Sequence, residues 1–363
     1  MLRYRIALTL IPGVGDIIGK KLVSYCGGVD AIFKEKKSNL LKIPNIGESI
    51  VNSIVNHDVF DRVDKELAFI EKYNIKPLFY LDAAYPLRLK QCIDSPLMLY
   101  YMGNSDLNAD KIISVVGTRN VTEYGKDMCK QIIKDLSQQN VLIVSGLAYG
   151  VDTYSHKAAL DNNLQTIGIL AHGLDRVYPQ TNKSLAEKMI KNGGLLTEFM
   201  SCTNPDRENF PKRNRIIAGI ADAVVVIEAA KKGGALITAE IANSYNRDVF
   251  AVPGKNTDIY SEGCNHLIKI NKANLMQSAD DILYIMGWET SKKPKKTAQK
   301  QLFVELTPDQ KTIYDILSLK ANTSIDELCI NSKLNVSKVA EILLNFELEG
   351  IIKSLPGKVY QLA

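Results

Sequence analysis

The residues best suited to chemistry in this chain of 363 residues lie together in Asn209-Phe210-Pro211-Lys212-Arg213-Asn214-Arg215-Ile216-Ile217-Ala218-Gly219. Two arginines and an aromatic residue crowd the start of a predicted helix there. A helix start leaves backbone N–H groups unpaired and carries the positive end of the helix dipole. Arg213 and Arg215, read as part of the first turn, add full charges at that end, an unfavourable placement unless an anionic ligand compensates. Phe210, just before the proline that opens the helix, offers a face on which a base can stack. A ligand that combines phosphate with a base answers all three features.

Composition sets the frame for that ligand. The length favours two or three domains of roughly 100–200 residues each, and an apolar content of 46% is ordinary for a well-packed protein. Lys and Arg number 45 against 40 Asp and Glu, so any nucleic-acid surface must come from clustering rather than from net charge. The six cysteines, Cys26, Cys92, Cys129, Cys202, Cys264 and Cys329, form no C-x-x-C pair and no spacing with histidine that suits zinc. They read as reduced thiols of a cytoplasmic protein. Met1-Leu2-Arg3-Tyr4-Arg5-Ile6 lacks a signal-peptide core, and no apolar run approaches the roughly 18 residues of a membrane helix. A cytoplasmic protein with no membrane partner is expected.

The elements that must position the ligand fall into blocks. Ile11-Pro12-Gly13-Val14-Gly15 and Ile43-Pro44-Asn45-Ile46-Gly47 each precede a helical apolar pattern and resemble paired helix-hairpin-helix units, with Asn45 in the place of Gly13. Their glycines serve either to touch a DNA phosphate through backbone N–H groups or simply to turn the chain. Charged helix runs through Asp64 to Tyr73, and Asp82 to Pro96 reads as an extended connector. Short β-branched runs then alternate with amphipathic helices. The predicted strands are Ile112–Val116, Val141–Val144, Thr166–Leu170, Leu195–Thr197, Ala223–Ile227 and Val249–Val252. That alternation predicts a mostly parallel, extended Rossmann-like sheet wrapped by helices. After a lysine-rich linker, three helical patterns and a terminal hairpin about Pro356-Gly357 describe a winged helix. Its predicted recognition helix carries little positive charge and suits protein contact as well as DNA. The expected domains are a helical module at 1–80, a Rossmann-like domain at 81–290, a linker at 291–304 and a winged helix at 305–363.

In an open parallel sheet the ligand sits outside the carboxyl ends of the strands. The first predicted strand delivers Gly117-Thr118-Arg119, with Thr122 placed to cap the next helix. The second delivers Ser145-Gly146-Leu147-Ala148-Tyr149-Gly150-Val151-Asp152, whose small residues let backbone amides approach a phosphate. Neither loop has the spacing of a dinucleotide-binding or Walker motif. Arg119, Arg207, Arg213 and Arg215 converge on this edge and predict a binding crevice. Asp152, Glu198, Glu228, Glu240, His156 and His172 are near enough in topology to build an acid-base site. Without a nucleophile elbow or metal cluster, the set favours binding without chemistry and without a cofactor.

Gly117-Thr118-Arg119, the Ser145–Asp152 loop, Phe210-Pro211-Lys212-Arg213-Asn214-Arg215, Leu236-Ile237-Thr238-Ala239 and Val252-Pro253-Gly254 resemble the DNA-processing protein A family, DprA or Smf. The resemblance is strongest from Asp82 to Ile285. It implies a protein that binds incoming single-stranded DNA during natural transformation, protects it and helps load RecA recombinase. It further implies a homodimer formed through the Rossmann-like domain, and no established catalysis. Carried over by position, the family's DNA-contacting arginine is Arg119, the basic residue before Phe-Pro is Arg207, and the stacking aromatic is Phe210. With them, Gly117, Ser145, Gly146, Arg213 and Asn214 make up the expected DNA-binding set, Arg213 being favoured over Arg215 for DNA. Gly233 stands where the family commonly has serine. Two other classes compete: a phosphoribohydrolase-like enzyme using Thr238 and Glu240, and a duplex DNA regulator using the winged helix.

Overall fold

In the computed structural model, which describes residues 1–288, 306–320, 323–349, 351–355 and 359–362, the chain divides into two compact units, Met1–Trp288 and Glu289–Ala363. The first begins with six helices: α1 (Leu2–Leu10), α2 (Asp16–Cys26), α3 (Val29–Lys34), α4 (Lys37–Leu40), α5 (Glu48–Val55) and α6 (Phe60–Lys72). The repeated turns before α2 and α5 have the same geometry. Gly13 takes φ 81° and Asn45 takes φ 61°, and Val14 N and Ile46 N donate to Ile11 O and Ile43 O at 3.0 and 3.2 Å. Asparagine tolerates the left-handed conformation well enough to stand in for glycine there. Carboxylates occupy both helix starts, Asp16 and Glu48. Asp16 Oδ1 accepts from Leu97 N at 2.8 Å and Oδ2 from Arg215 at 3.0 Å, so the start of α2 is used within the fold.

The sheet elements follow as β1 (Lys76–Phe79), α7 (Leu87–Lys90), β2 (Met98–Gly103), β3 (Ile112–Val116), α8 (Glu123–Leu136), β4 (Leu142–Ser145), α9 (Val151–Asp161) and β5 (Thr166–Ile169). They continue as α10 (Lys183–Lys191), β6 (Gly193–Thr197), α11 (Asn209–Ile220), β7 (Ala223–Val226), α12 (Gly234–Ser244), β8 (Asp248–Ala251), α13 (Glu262–Lys269), β9 (Asn274–Leu275) and α14 (Ala279–Ile285). The strands order as β1-β2-β6-β5-β4-β3-β7-β8-β9. From β6 to β9 they run parallel, with β2 antiparallel to β6 and β1 to β2. All six predicted strands are present within two residues of the expected ends. Their residues alternate between two cores, Ile112 and Val116 on the face with α11 and α12, Ile113 and Val115 on the face with α8 and α9.

The stretch Asp82 to Pro96 is not the extended connector expected. It holds α7 and is packed: Tyr85 is fully buried and donates to Pro96 O at 2.7 Å, while Arg88 Nε bonds Asp222 Oδ1 at 2.5 Å. Chain direction explains where the ligand edge lies. From β3 the chain crosses to β4 on one side, and from β7 to β8 on the other, although β3 and β7 are neighbours. The loops leaving β3 and β7 therefore diverge and open a crevice between them.

The second unit contains α15 (Pro308–Leu319), β10 (Thr323–Ser324), α16 (Ile325–Ser332), α17 (Val336–Leu348), β11 (Ile352–Leu355) and β12 (Val359–Leu362). Side-chain caps set its helix starts. Thr307 and Gln310 form a capping box, and Asn335 Oδ1 accepts from Lys338 N at 2.9 Å. Ile313, Leu317, Leu328, Val339, Ile342, Leu343, Phe346 and Ile352 close a separate core. The expected linker at 291–304 and the turn at Pro356-Gly357 lie outside the described residues. Among the described residues no helix is long and apolar enough to cross a membrane.

Candidate nucleic-acid interface

At the divergence of the β3 and β7 loops lies a cavity of about 310 Å³, bounded by Gly117, Thr118 and Arg119 from β3, Ala148 and Asp152 from the β4 loop, Phe210, Arg213 and Asn214 from α11, and Lys232 to Ala235 before and in α12. Close stitching holds these loops. Thr118 N donates to Glu228 O at 2.7 Å, and Val151 N to Thr118 O at 3.1 Å. Gly150 takes φ 75°, and a Cβ there would stand 2.2 Å from Thr118 O, so only glycine allows the loops to touch. Thr122 caps α8 as expected, accepting from Gly125 N at 3.2 Å, and Glu228 fixes it by accepting from Thr122 N and Oγ1 at 2.9 and 2.5 Å.

The aromatic residue stands at the mouth. The guanidinium carbons of Arg119 and Arg213 lie 5.4 and 5.9 Å from the Phe210 ring centre, within cation–π range, and Tyr178 meets the ring edge-on at 6.2 Å. Arg119 is exposed and borders three further hollows besides the cavity. One of about 60 Å³ is shared with Tyr149, His172 and Tyr178, and an open one of about 540 Å³ with Lys126 and Tyr154. The broadest, about 830 Å³, adds Arg207, Lys231 and Lys232. The carboxylate in that last hollow, Glu240, is held by Lys272 at 2.7 Å, so the surface is strongly cationic.

The two arginines of α11 part company. The helix begins at Asn209, earlier than the expected proline opening, so both lie beyond the first turn. The dipole penalty inferred from sequence is correspondingly weaker. Arg213 is 4% exposed, and its Nη1 donates to Gly146 O and Ile169 O at 2.6 and 2.5 Å, tying the ends of β4 and β5 to the helix. Burial lowers its pKa to about 10, leaving it charged at neutral pH. Its first commitment is therefore structural, although its side chain lines the cavity. Arg215 points the other way, to Asp94 O, Asp16 and Glu198.

Gly146 is needed where it is. A Cβ there would meet Arg213 Nη1 at 2.2 Å and Asp152 Oδ2 at 2.5 Å. Asp152 Oδ2 accepts from Ala148 N at 3.1 Å, and burial pushes its carboxyl pKa up against the pull of Arg213. Gly117 packs at the cavity wall, where a Cβ would stand 2.5 Å from Val151 Cγ2. Asn214 Nδ2 reaches Gly234 O at 3.4 Å. Ser145 differs from the expectation: it is fully buried, its hydroxyl donating to Val115 O at 2.6 Å, and it does not reach the cavity. Arg207 is exposed on the loop before α11.

The acids and histidines do not assemble. Glu198 lies beside Arg215 in a groove apart from the cavity, and burial pushes its pKa up to about 7. His156 is fully buried against Thr166 Oγ1 at 2.7 Å, with its pKa lowered to about 3 by burial. Of the six groups only Asp152 lines the cavity. Sequence reasoning missed Lys231, Lys232, Tyr149 and Tyr178, whose one signal was proximity to a strand end. It also missed Glu66, buried on α6, which accepts from Ser201 N at 3.1 Å and Ser201 Oγ at 2.5 Å and so anchors the loop that carries Arg207.

Fold and site together define a Rossmann-like protein with an aromatic-bordered cationic crevice at its switch point and an appended winged helix. The sequence profile described as DNA recombination-mediator protein A matches residues 76–287, and that of the DprA winged helix domain matches residues 294–358. The chain is 31% identical to Protein Smf of Synechocystis sp. over 99% of this chain and 98% of that protein. It is 37% identical to DNA processing protein DprA of Streptococcus pneumoniae over 69% of this chain and 96% of that protein. The X-ray structure of the Streptococcus pneumoniae protein superposes with a TM-score of 0.69 at 34% identity, covering 78% of this chain and 98% of that one. DNA processing protein A from Helicobacter pylori, whose structure concerns a single-stranded DNA binding mode, superposes with a TM-score of 0.54 at 26% identity, covering 60% of this chain and 97% of that one. This chain belongs to the DprA/Smf family of DNA-processing proteins.

Proposed function

We propose that this protein binds single-stranded DNA along the carboxyl edge of β3, β4 and β7. The observation that carries the reading is the Phe210 ring at the mouth of the crevice with the Arg119 guanidinium over it. A strand brings both a phosphate and a base to such a place. Arg119 swings to the phosphate and, in doing so, uncovers the ring for stacking. Lys231, Lys232 and Arg207 extend the cationic surface along the backbone of the strand. Asn214 and the Gly233-Gly234 turn offer polar groups deeper in the cavity.

The single-stranded DNA binding mode of the Helicobacter pylori relative supports this ligand. Within that role we place protection of incoming DNA and loading of RecA recombinase during natural transformation, by a cytoplasmic, non-catalytic homodimer. The phosphoribohydrolase alternative requires Thr238 and Glu240 to act on one substrate. Thr238 lines the inner cavity while Glu240 borders the outer hollow, paired with Lys272, which weighs against it.

Arg119→Ala should weaken single-strand binding evenly across sequences and reduce the slope of log K against log salt by about 0.7, the increment for one phosphate contact on a single strand. Fluorescence polarisation with oligonucleotides across a salt series reads this directly. An unchanged slope would remove Arg119 from the interface.

A further inference from the structure

A second ring at this edge of the sheet is held by two cations. Tyr154, on α9, has Lys126 Nζ and Lys157 Nζ at 5.3 and 5.7 Å from its ring centre, within cation–π range. Arg119 and Arg213 make the same arrangement about Phe210. The two rings are joined through Arg119 and Tyr149. Both of these residues border the small hollow that Phe210 also lines, and both border the open hollow of about 540 Å³ that Tyr154 lines. Tyr149 is 50% exposed. The charges around Tyr154 are unequally committed: Lys126 is paired with Glu123 at 2.5 Å. Exposed Lys157, three residues beyond Tyr154 on the same helix, has no carboxylate within ion-pair distance among the described residues.

We propose that a DNA strand held at Phe210 continues past Tyr149 onto α8 and α9, where Tyr154 is a second stacking platform and Lys157 a second phosphate contact. This path rests on the single-strand reading of the crevice and gives it a direction. Lys231 and Lys232 follow β7, Tyr149 and Tyr154 follow β4, and β7 and β4 flank β3 on opposite sides. A strand that passes Arg119 from one group to the other therefore runs across the sheet edge. Alternating rings and cations suit such a strand whatever its sequence, because every base has a face to stack and every nucleotide a phosphate. A phosphate draws Lys157 from the Tyr154 ring and frees that face, as at Arg119 and Phe210. Paired bases, stacked inside a duplex, cannot use either ring.

The test compares two oligothymidylates on the full chain, a short one of about six nucleotides and a long one of about twenty, chosen against the usual span of single-strand modules. Tyr154→Leu keeps apolar packing against the core beneath α8 and α9 but removes the flat face. It should weaken the long strand about five-fold or more and leave the short one within about two-fold. Lys157→Ala, at an exposed position that does not threaten folding, should lower the salt slope by about 0.7 for the long strand alone. Long strands carrying 5-iodo-2′-deoxyuridine at each position in turn, irradiated on the parent protein, should give adducts that map by mass spectrometry to Phe210 and to Tyr154. Adducts at Phe210 without any at Tyr154, or an unchanged long-strand slope for Lys157→Ala, would overturn the path and leave the crevice reading standing. Adducts at neither ring would remove both.

Discussion

Phe210→Ala is expected to lower affinity for a single-stranded oligonucleotide by about 1–3 kcal/mol, roughly five- to 150-fold, the range for loss of one base–aromatic stack. Phe210 is half-buried and its ring is bordered by Arg119, Arg213 and Tyr178, so truncation removes a platform without opening the main core. Stability should change little by comparison. Phe210→Trp should retain most of the affinity, because stacking needs a flat face rather than a particular ring. Titration of a labelled strand with each variant measures this. Equal affinity for Phe210→Ala and the parent protein would mean that the crevice holds phosphate alone.

Arg213→Met should have the larger effect on folding. The substitution leaves Gly146 O and Ile169 O without their charged donor and strips buried Asp152 of the cation that favours its ionised form. Breaking a buried charged arrangement from one side costs about 3–5 kcal/mol, and the urea midpoint should fall accordingly. Adding Asp152→Asn should recover part of the loss, since the orphaned carboxylate is then gone. Below the unfolding transition, the salt slope of DNA binding should remain near that of the parent protein, because Arg213 Nη1 is spent on protein carbonyls. A loss of slope with unchanged stability would return Arg213 to the role of phosphate ligand expected from sequence.

The contrast between Arg213 and Arg215 shows what a sequence makes legible. Two positions apart on a helix, they stand about 200° apart around its axis, so their divergence follows from spacing alone. Their destinations do not, because Ile169 and Asp16 are brought in from strands and helices far along the chain. The parallel strands were readable because burial on both faces demands unbroken β-branched runs. The edge strand β1 was not: Pro77 interrupts it, and such residues favour edges and loops alike. Arg119 and Phe210 are legible through a strand end and a proline read as opening a helix, although the helix begins two residues earlier, at Asn209. Lys231 and Lys232 look like any solvated lysine pair until the sheet sets them beside Arg207.

The central claim is that the crevice at the β3–β7 divergence takes a single strand rather than a duplex. Competition for a labelled single-stranded oligonucleotide, at one fixed salt concentration, by unlabelled single strand and by the blunt duplex of the same sequence tests it most directly. The single strand should displace the label at concentrations at least tenfold lower than the duplex, and Phe210→Ala should erase most of that preference. Equal competition by duplex, or a preference that survives Phe210→Ala intact, would contradict it.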